Sequence, residues 1–308
     1  MPAASSPAQN SSFPKTWGGY VETILPLVAA FLVVPVEDAR ELPEWLREIY
    51  SWGLVTSKFA HEHLVFSRAA WNEGKWWTIL TYCFSHQDVS HLLNNLFSLT
   101  FAGMNVYNHT STALEFYTIF FSSAGLSAYL TTRKNELQLM PMAKSFVPRN
   151  PFPSSWIRLH GWYNSQANKI AESTGHFFSQ FVQYRGASAG IFGMVGALAM
   201  IEVEEAWLWM RDVWSCIREY GSVATSTRKR LALRCFALCY NALSIRGAVQ
   251  NEFMLRSTND GIGHNFHLDG FISGSCIYVA IKCARGLGAY IRRHEIQRRV
   301  GRSRKGRS

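Results

Sequence analysis

The stretch RGASAGIFGMVGA, residues 185–197, sets four glycines and several alanines around one serine, Ser188, in an otherwise apolar run. In a soluble helix each interior glycine costs about 1 kcal/mol relative to alanine. Inside a bilayer the same residues become useful, because small side chains let helix backbones approach closely where lipid gives no hydrophobic drive to pack. Gly186 and Gly190 make one small-xxx-small pair, and Gly193 and Ala197 make another. The expectation is a membrane helix that its neighbours touch at backbone distance, with Ser188 on it. A lone serine in such a helix ordinarily bonds back to its own backbone, so Ser188 acquires chemistry only if a reactive group from elsewhere meets it.

Two other stretches supply candidates. GHNFHLDGFISG, residues 263–274, places His267, Gly270 and Gly274 at i, i+3 and i+7, on one helix face. An imidazole in an apolar helix is rare and functional by default. Two glycine-grooved helices packed together would bring hydroxyl and imidazole within hydrogen-bond reach, the arrangement of an activated nucleophile. FSHQDVSHLLNNLFS, residues 84–98, places His91 and Asn95 at i, i+4 on a shared face, with Asn94 turned elsewhere and His86 near the mouth of the segment. Both His91 and Asn95 can donate hydrogen bonds, and donors preset where negative charge develops stabilise a tetrahedral oxyanion.

The rest of the chain fits an all-α, polytopic membrane bundle. Apolar blocks occur at 20–36, 89–107, 112–132, 186–201, 231–249 and 262–284, which predicts six spans. Pro26 and Pro35 are expected near the ends of the first. Between the blocks lie long polar loops at 37–75, 133–183 and 202–229. Within the first, 41–55 has the spacing of a surface-lying amphipathic helix. Within the second, Pro148, Pro151 and Pro153 read as breakers, so 133–183 is expected as an insertion or mobile loop. The domain expectation is therefore a disordered leader at 1–16, a membrane domain at 17–285 and a basic tail at 286–308.

The chain has 308 residues, 48% of them hydrophobic, and a formal net charge of +10. Its mean hydropathy of −0.04 averages apolar blocks with polar loops. Residues 282–308 hold ten Lys/Arg against a single acid, Glu295, so nearly all the excess charge is in the tail. The near-neutral remainder argues against a nucleic-acid partner. Six spans put both termini on one side, and the positive tail assigns that side to the cytoplasm. With one Lys and no Arg in the first sixteen residues, a secretory-pathway membrane is favoured over the mitochondrion. The six cysteines form no CxxC pair and read as buried small hydrophobes.

The three stretches, taken in order, resemble the rhomboid intramembrane serine proteases. The resemblance rests on HLLNN in the second span, G-x-S opening the fourth and H-x-x-G-x-x-x-G in the sixth, and it covers roughly 17–285. The run GKWWTILTYCFSHQDVSHLLNN also resembles the family's entrance to its second span. The resemblance implies a six-transmembrane core in which Ser188 is the nucleophile and His267 the general base. His91 and Asn95 would serve the oxyanion beside backbone N–H groups, and Phe192 would pack on the histidine. Gly186 lies two residues before the nucleophile, as in the family, and Gly270 and Gly274 support the packing. Neither cofactor nor metal is implied; the partners would be transmembrane protein substrates within the lipid bilayer. The sequence departs from the family pattern at Ala189 and Asp269, where glycine is usual, at Thr78, where arginine is frequent, and in the length of 133–183.

Three other readings compete. One is a rhomboid-like protein that binds transmembrane clients without cutting them; such relatives typically lack the serine or the histidine, and both are present here. A second is a metal site built from His86, His91, His264 and His267, which lacks an HExxH segment. A third is a structural membrane protein with buried polar glue, which explains one His or one Ser but not three matched segments.

Overall fold

The computed structural model describes residues 16–36, 55–145, 149–152, 154–179, 183–220 and 264–305, with isolated positions at 44, 47, 48, 235, 239, 243 and 246. Its elements are α1 (Trp17–Val33), α2 (Ser57–His63), β1 (Phe66–Ser67), α3 (Arg68–Asn72), α4 (Thr78–Thr81), a 3-10 turn over Tyr82–Phe84, α5 (Val89–His109), α6 (Ala113–Ser145), α7 (Ile157–Ser179), β2 (Gln183–Tyr184), α8 (Ser188–Tyr220) and α9 (His264–Lys305). The helices start where the sequence offers caps. Thr16 accepts from the Gly19 amide at 3.2 Å and opens α1. Asp88 accepts from the His91 amide at 2.7 Å and opens α5, which orients the turn carrying His91. Pro26 sits inside α1 rather than near its end.

Backbone-to-backbone contact between α8 and α9 organises the bundle. A β-carbon on Gly274 would overlap the Gly193 carbonyl, one on Gly270 the Ala189 carbonyl, and one on Gly196 the Phe271 carbonyl. The interlocking face of α8 is therefore Ala189, Gly193 and Gly196. The expected pair Gly186 and Gly190 points elsewhere: Gly190 presses on the Phe120 ring of α6, where a β-carbon would lie 2.8 Å from Cε2, and Gly186 abuts His91. Spacing alone could not separate these faces, because four glycines within eleven residues cover most of the helix circumference.

The core is chiefly apolar but also holds polar side chains, and large apolar side chains stand outside it. Ser123, Ser127, Thr131, Ser188, Asp269 and Ser273 are buried, while Leu93, Phe97, Phe101, Val203, Trp207 and Ile272 stand exposed on the outer faces of α5, α8 and α9. Lipid favours that arrangement. Among the described residues no helix is long and apolar enough to cross a membrane. Of the side chains that dilute the hydropathy of α5, α6 and α8, Asn95, Ser127 and Ser188 are turned inward, whereas Asn94 and Asn105 are exposed.

The structure extends helices into several segments expected as loops. Residues 133–183 are largely helical: α6 continues to Ser145, and α7 folds back against it from Ile157. Of the three prolines, Pro151 is described and lies between the two helices; Pro148 and Pro153 lie outside the described residues. Likewise α8 runs through the charged residues of 202–229 as far as Tyr220, and α9 carries most of the basic tail to Lys305. Glu, Lys, Arg and Gln are good helix formers, so a polar stretch that ends apolar periodicity need not end the helix. The fifth apolar block, 231–249, and most of the 41–55 segment lie outside the described residues. The cysteine reading needs correction: Cys83 is buried, whereas Cys276 and Cys283 lie on exposed positions of α9.

The glycine contact makes a prediction. Gly274→Ala should destabilise the bundle by at least about 1–3 kcal/mol through overpacking. Gly286→Ala, on the same helix with open space around it, should be neutral or stabilising by up to about 1 kcal/mol. Thermal unfolding in a mild detergent distinguishes the two; equal behaviour would mean that the α8–α9 interface is not this close.

Candidate active site

Ser188 is the first residue of α8 and is almost fully buried. A helix's first four N–H groups have no partner within the helix, so its hydroxyl sits beside outward-facing amides and the positive end of the helix dipole. The chain reaches this point through a short, tightly held strand. β2 pairs antiparallel with β1, matching Tyr184 with Phe66. The Gly186 amide then donates to the Tyr82 carbonyl at 3.1 Å. Gly186 has φ of +94°, in the left-handed region that favours glycine, and a β-carbon there would lie 2.5 Å from His91 Cε1 and 3.5 Å from Asn95 Nδ2. Glycine two residues before the serine is thus required twice, by its backbone and by the two side chains of α5 that crowd it.

From α9, His267 Nε2 lies 2.9 Å from Ser188 Oγ, across 79 residues of sequence. If Nε2 accepts the hydroxyl proton, the ring's own proton is on Nδ1. Phe192, one turn beyond Ser188, stacks flat on the imidazole with 4.6 Å between ring centres and 3° between planes. Asn95 is buried, and its Nδ2 has no hydrogen-bond partner among the described residues. His91 is half-buried beside Gly186. The four expected polar residues therefore converge from three helices, α5, α8 and α9. Asn94 is exposed, on the other side of α5.

His86, in the turn before α5, is buried and packs edge-on against His91 and Phe31 at 5.4 and 5.2 Å. Burial, reinforced by the neighbouring His91, pushes its imidazole down to about 3, so it stays neutral at physiological pH. It acts as an apolar-facing wedge under His91. Among the described residues, no group of three or more His, Cys, Asp or Glu side chains is placed to hold a metal ion. The His264 side chain of the four-histidine alternative lies outside that description.

Some supporting residues escaped sequence reasoning. Phe66, Tyr82, Tyr184 and Phe266 form an aromatic cluster beside the dyad; Tyr184 stacks on Phe266 at 5.1 Å, and Tyr82 tilts against it at 5.5 Å. Tyr82 also donates to the Ala124 carbonyl at 2.9 Å. The cluster joins the loop before α5, the strand before Ser188 and the residue before His267. Only the adjacency of Tyr184 and Phe266 to the two motifs hinted at it. Asp269 does not face Ser188; it is buried against α6, where Thr131 Oγ1 donates to it at 2.8 Å and Lys134 pairs with it.

Gly186→Ala should therefore displace His91 and strain the backbone, with a left-handed penalty of about 1–2 kcal/mol before any clash. The expected result is a lowered unfolding temperature together with faster diethyl pyrocarbonate modification of His91, read by mass spectrometry. Wild-type values for both would mean that Gly186 is not held in this conformation.

The sequence profile of the Rhomboid domain matches residues 73–284, more than half of the chain, and spans α4 through the first half of α9 with all four converging residues. No curated protein and no solved structure matches the chain. With the profile covering the serine, histidine and α5 motifs in one helical bundle, the chain belongs to the rhomboid family of membrane proteins.

Proposed function

We propose that this chain is an intramembrane serine endopeptidase that cleaves a peptide bond in or near a transmembrane segment of its protein substrates. The observation that carries this reading is the 2.9 Å separation of Ser188 Oγ and His267 Nε2 at the start of a helix. His267 takes the hydroxyl proton as Ser188 Oγ bonds to the scissile carbonyl carbon, and the carbonyl oxygen takes up the negative charge. In this reading His91, Asn95 and the amides at the start of α8 stabilise it, each side-chain donor being worth about 2.7–4 kcal/mol. Collapse breaks the C–N bond while His267 returns the proton to the leaving amine. Water then adds to the acyl-enzyme with His267 again as base, releasing the acid and restoring Ser188. No metal or organic cofactor enters these steps.

A substrate helix in lipid has its amides internally bonded, so it must unwind locally before its carbonyl reaches Ser188. Helix-weakening residues near the cleaved bond favour that unwinding. The dyad is near the start of α9, and the basic tail at its far end. If the tail and both termini face the cytoplasm, the dyad faces the opposite side.

In a reconstituted assay with a transmembrane reporter, Ser188→Ala and His267→Ala should each abolish cleavage. Asn95→Ala should retain measurable turnover with a loss of about 100-fold or more. A fluorophosphonate probe should label wild type and not Ser188→Ala. Reporter cleavage by Ser188→Ala at the wild-type rate would refute the nucleophile assignment. Failure of wild type to label or cleave in both detergent and liposomes would favour a client-binding role.

A further inference from the structure

Asp269 stands where the family pattern usually has glycine, two residues beyond His267. It is 2% exposed, yet no step above uses it. Two residues along a helix correspond to a rotation of about 200°, so its carboxylate faces away from Ser188 and into α6. There Thr131 Oγ1 donates to Oδ2 at 2.8 Å, and Lys134 Nζ pairs with Oδ1. One turn earlier on the same face, Ser127 Oγ donates to the Phe266 carbonyl at 2.5 Å. Ser127, Thr131 and Lys134 are spaced i, i+4, i+7 and line one side of α6. His267 is thereby bracketed, at the residue before and two residues after, by bonds from a helix that does not touch the reacting atoms.

Such bonds matter because α9 begins at His264. His267 lies in its first turn, where backbone amides lack partners within the helix and the chain frays most readily. Across the helix, Gly270 lies against the Ala189 carbonyl of α8. That close approach seats α9 on α8, while the Asp269 pairing holds its other side on α6. A buried carboxylate without a counter-charge would be strongly destabilising, so this pairing is all-or-none in character.

We propose that Asp269, clamped by Thr131 and Lys134, is a positioning residue that sets the reach of His267 to Ser188. This rests on the serine-protease reading for its catalytic consequence, while its structural consequence can be measured without it. The test uses the full-length protein in liposomes as wild type, Asp269→Asn, Lys134→Met, Lys134→Arg, the Asp269→Asn/Lys134→Met double variant and Ser188→Ala. A misplaced general base should lower kcat and the fluorophosphonate labelling rate by about 10- to 100-fold. KM for the reporter should stay within about twofold. Lys134→Arg should retain the rate, and the double variant should be no worse than the poorer single one, because both remove the same pairing.

The independent readout is diethyl pyrocarbonate modification of His267, followed by mass spectrometry. It should quicken in Asp269→Asn and Lys134→Met and stay at the wild-type rate in Lys134→Arg. If wild type neither labels nor cleaves, the protease reading falls, and the modification rates still decide the positioning claim. Unchanged His267 modification in Asp269→Asn overturns it, as do additive losses in the double variant or equal damage from Lys134→Arg and Lys134→Met. Should Asp269→Asn fail to fold, Lys134→Met decides, since that lysine is half-exposed; wild-type modification and labelling in that variant overturn the proposal.

Discussion

Two backbones meet where Ala189, Gly193 and Gly196 of α8 face Gly270, Gly274 and Phe271 of α9, and at Gly196, Gly270 and Gly274 a carbonyl of the other helix fills the space a β-carbon would need. Everything else at the site depends on this approach. Dispersion falls steeply with distance, and lipid supplies no alternative drive for helix association, so helices that come this close gain their contact energy only if nothing protrudes. The consequence is chemical as well as mechanical. At ordinary interhelical distances of 8–10 Å, serine and histidine on adjacent helices would need long side chains to meet. Backbone-level contact lets a one-carbon serine and an imidazole reach 2.9 Å.

Charge and polar bonds hold α9 alongside the glycine contacts of its first turns. Near its start, Asp269 is paired with α6 through Lys134. Farther along, Glu204 of α8 accepts from Tyr278 at 2.8 Å and from Lys282 at 2.6 Å, and Glu115 of α6 accepts from Arg285 Nε at 2.7 Å. Asp269 and Arg285 are sixteen residues apart, roughly 24 Å along the helix axis at 1.5 Å per residue. That is close to the hydrocarbon thickness of a bilayer, about 30 Å. Between those two levels α9 is joined to α8 first through Gly270, Gly274 and Ser275 and then through the Tyr278 and Lys282 bonds to Glu204.

Two kinds of contact hold the site. Close helix packing fixes Ser188, His267 and Phe192. Beside it, short segments meet edge to edge: the two-residue β1–β2 pairing, the Gly186 amide on the Tyr82 carbonyl, and the buried aromatic group of Phe66, Tyr82, Tyr184 and Phe266. Aromatic rings suit this position because they bury large areas with few rotatable bonds. They join three chain segments that no single helix connects. The helical hairpin of α6 and α7 rises from the same end, since Thr131 and Lys134 lie level with Asp269 and α6 continues beyond them to Ser145.

The amino-acid pattern alone determined the helical class, the positions of five of the apolar helices, and the serine, histidine and α5 residues that converge. These are local signals: periodicity, small-residue spacing, caps and short motifs are all written within one or two helical turns. What only the tertiary structure decided is which faces meet. It selected Ala189, Gly193 and Gly196 over Gly186 and Gly190 as the face toward α9, and gave Gly186 a different duty against His91. It joined Thr131 to Asp269 across 138 residues and assembled the aromatic cluster. It also carried helices through the polar stretches after Thr132 and Ile201. Each of these depends on the rotation of one helix against another, and helix rotation is set by mutual packing rather than by the residues of either helix alone.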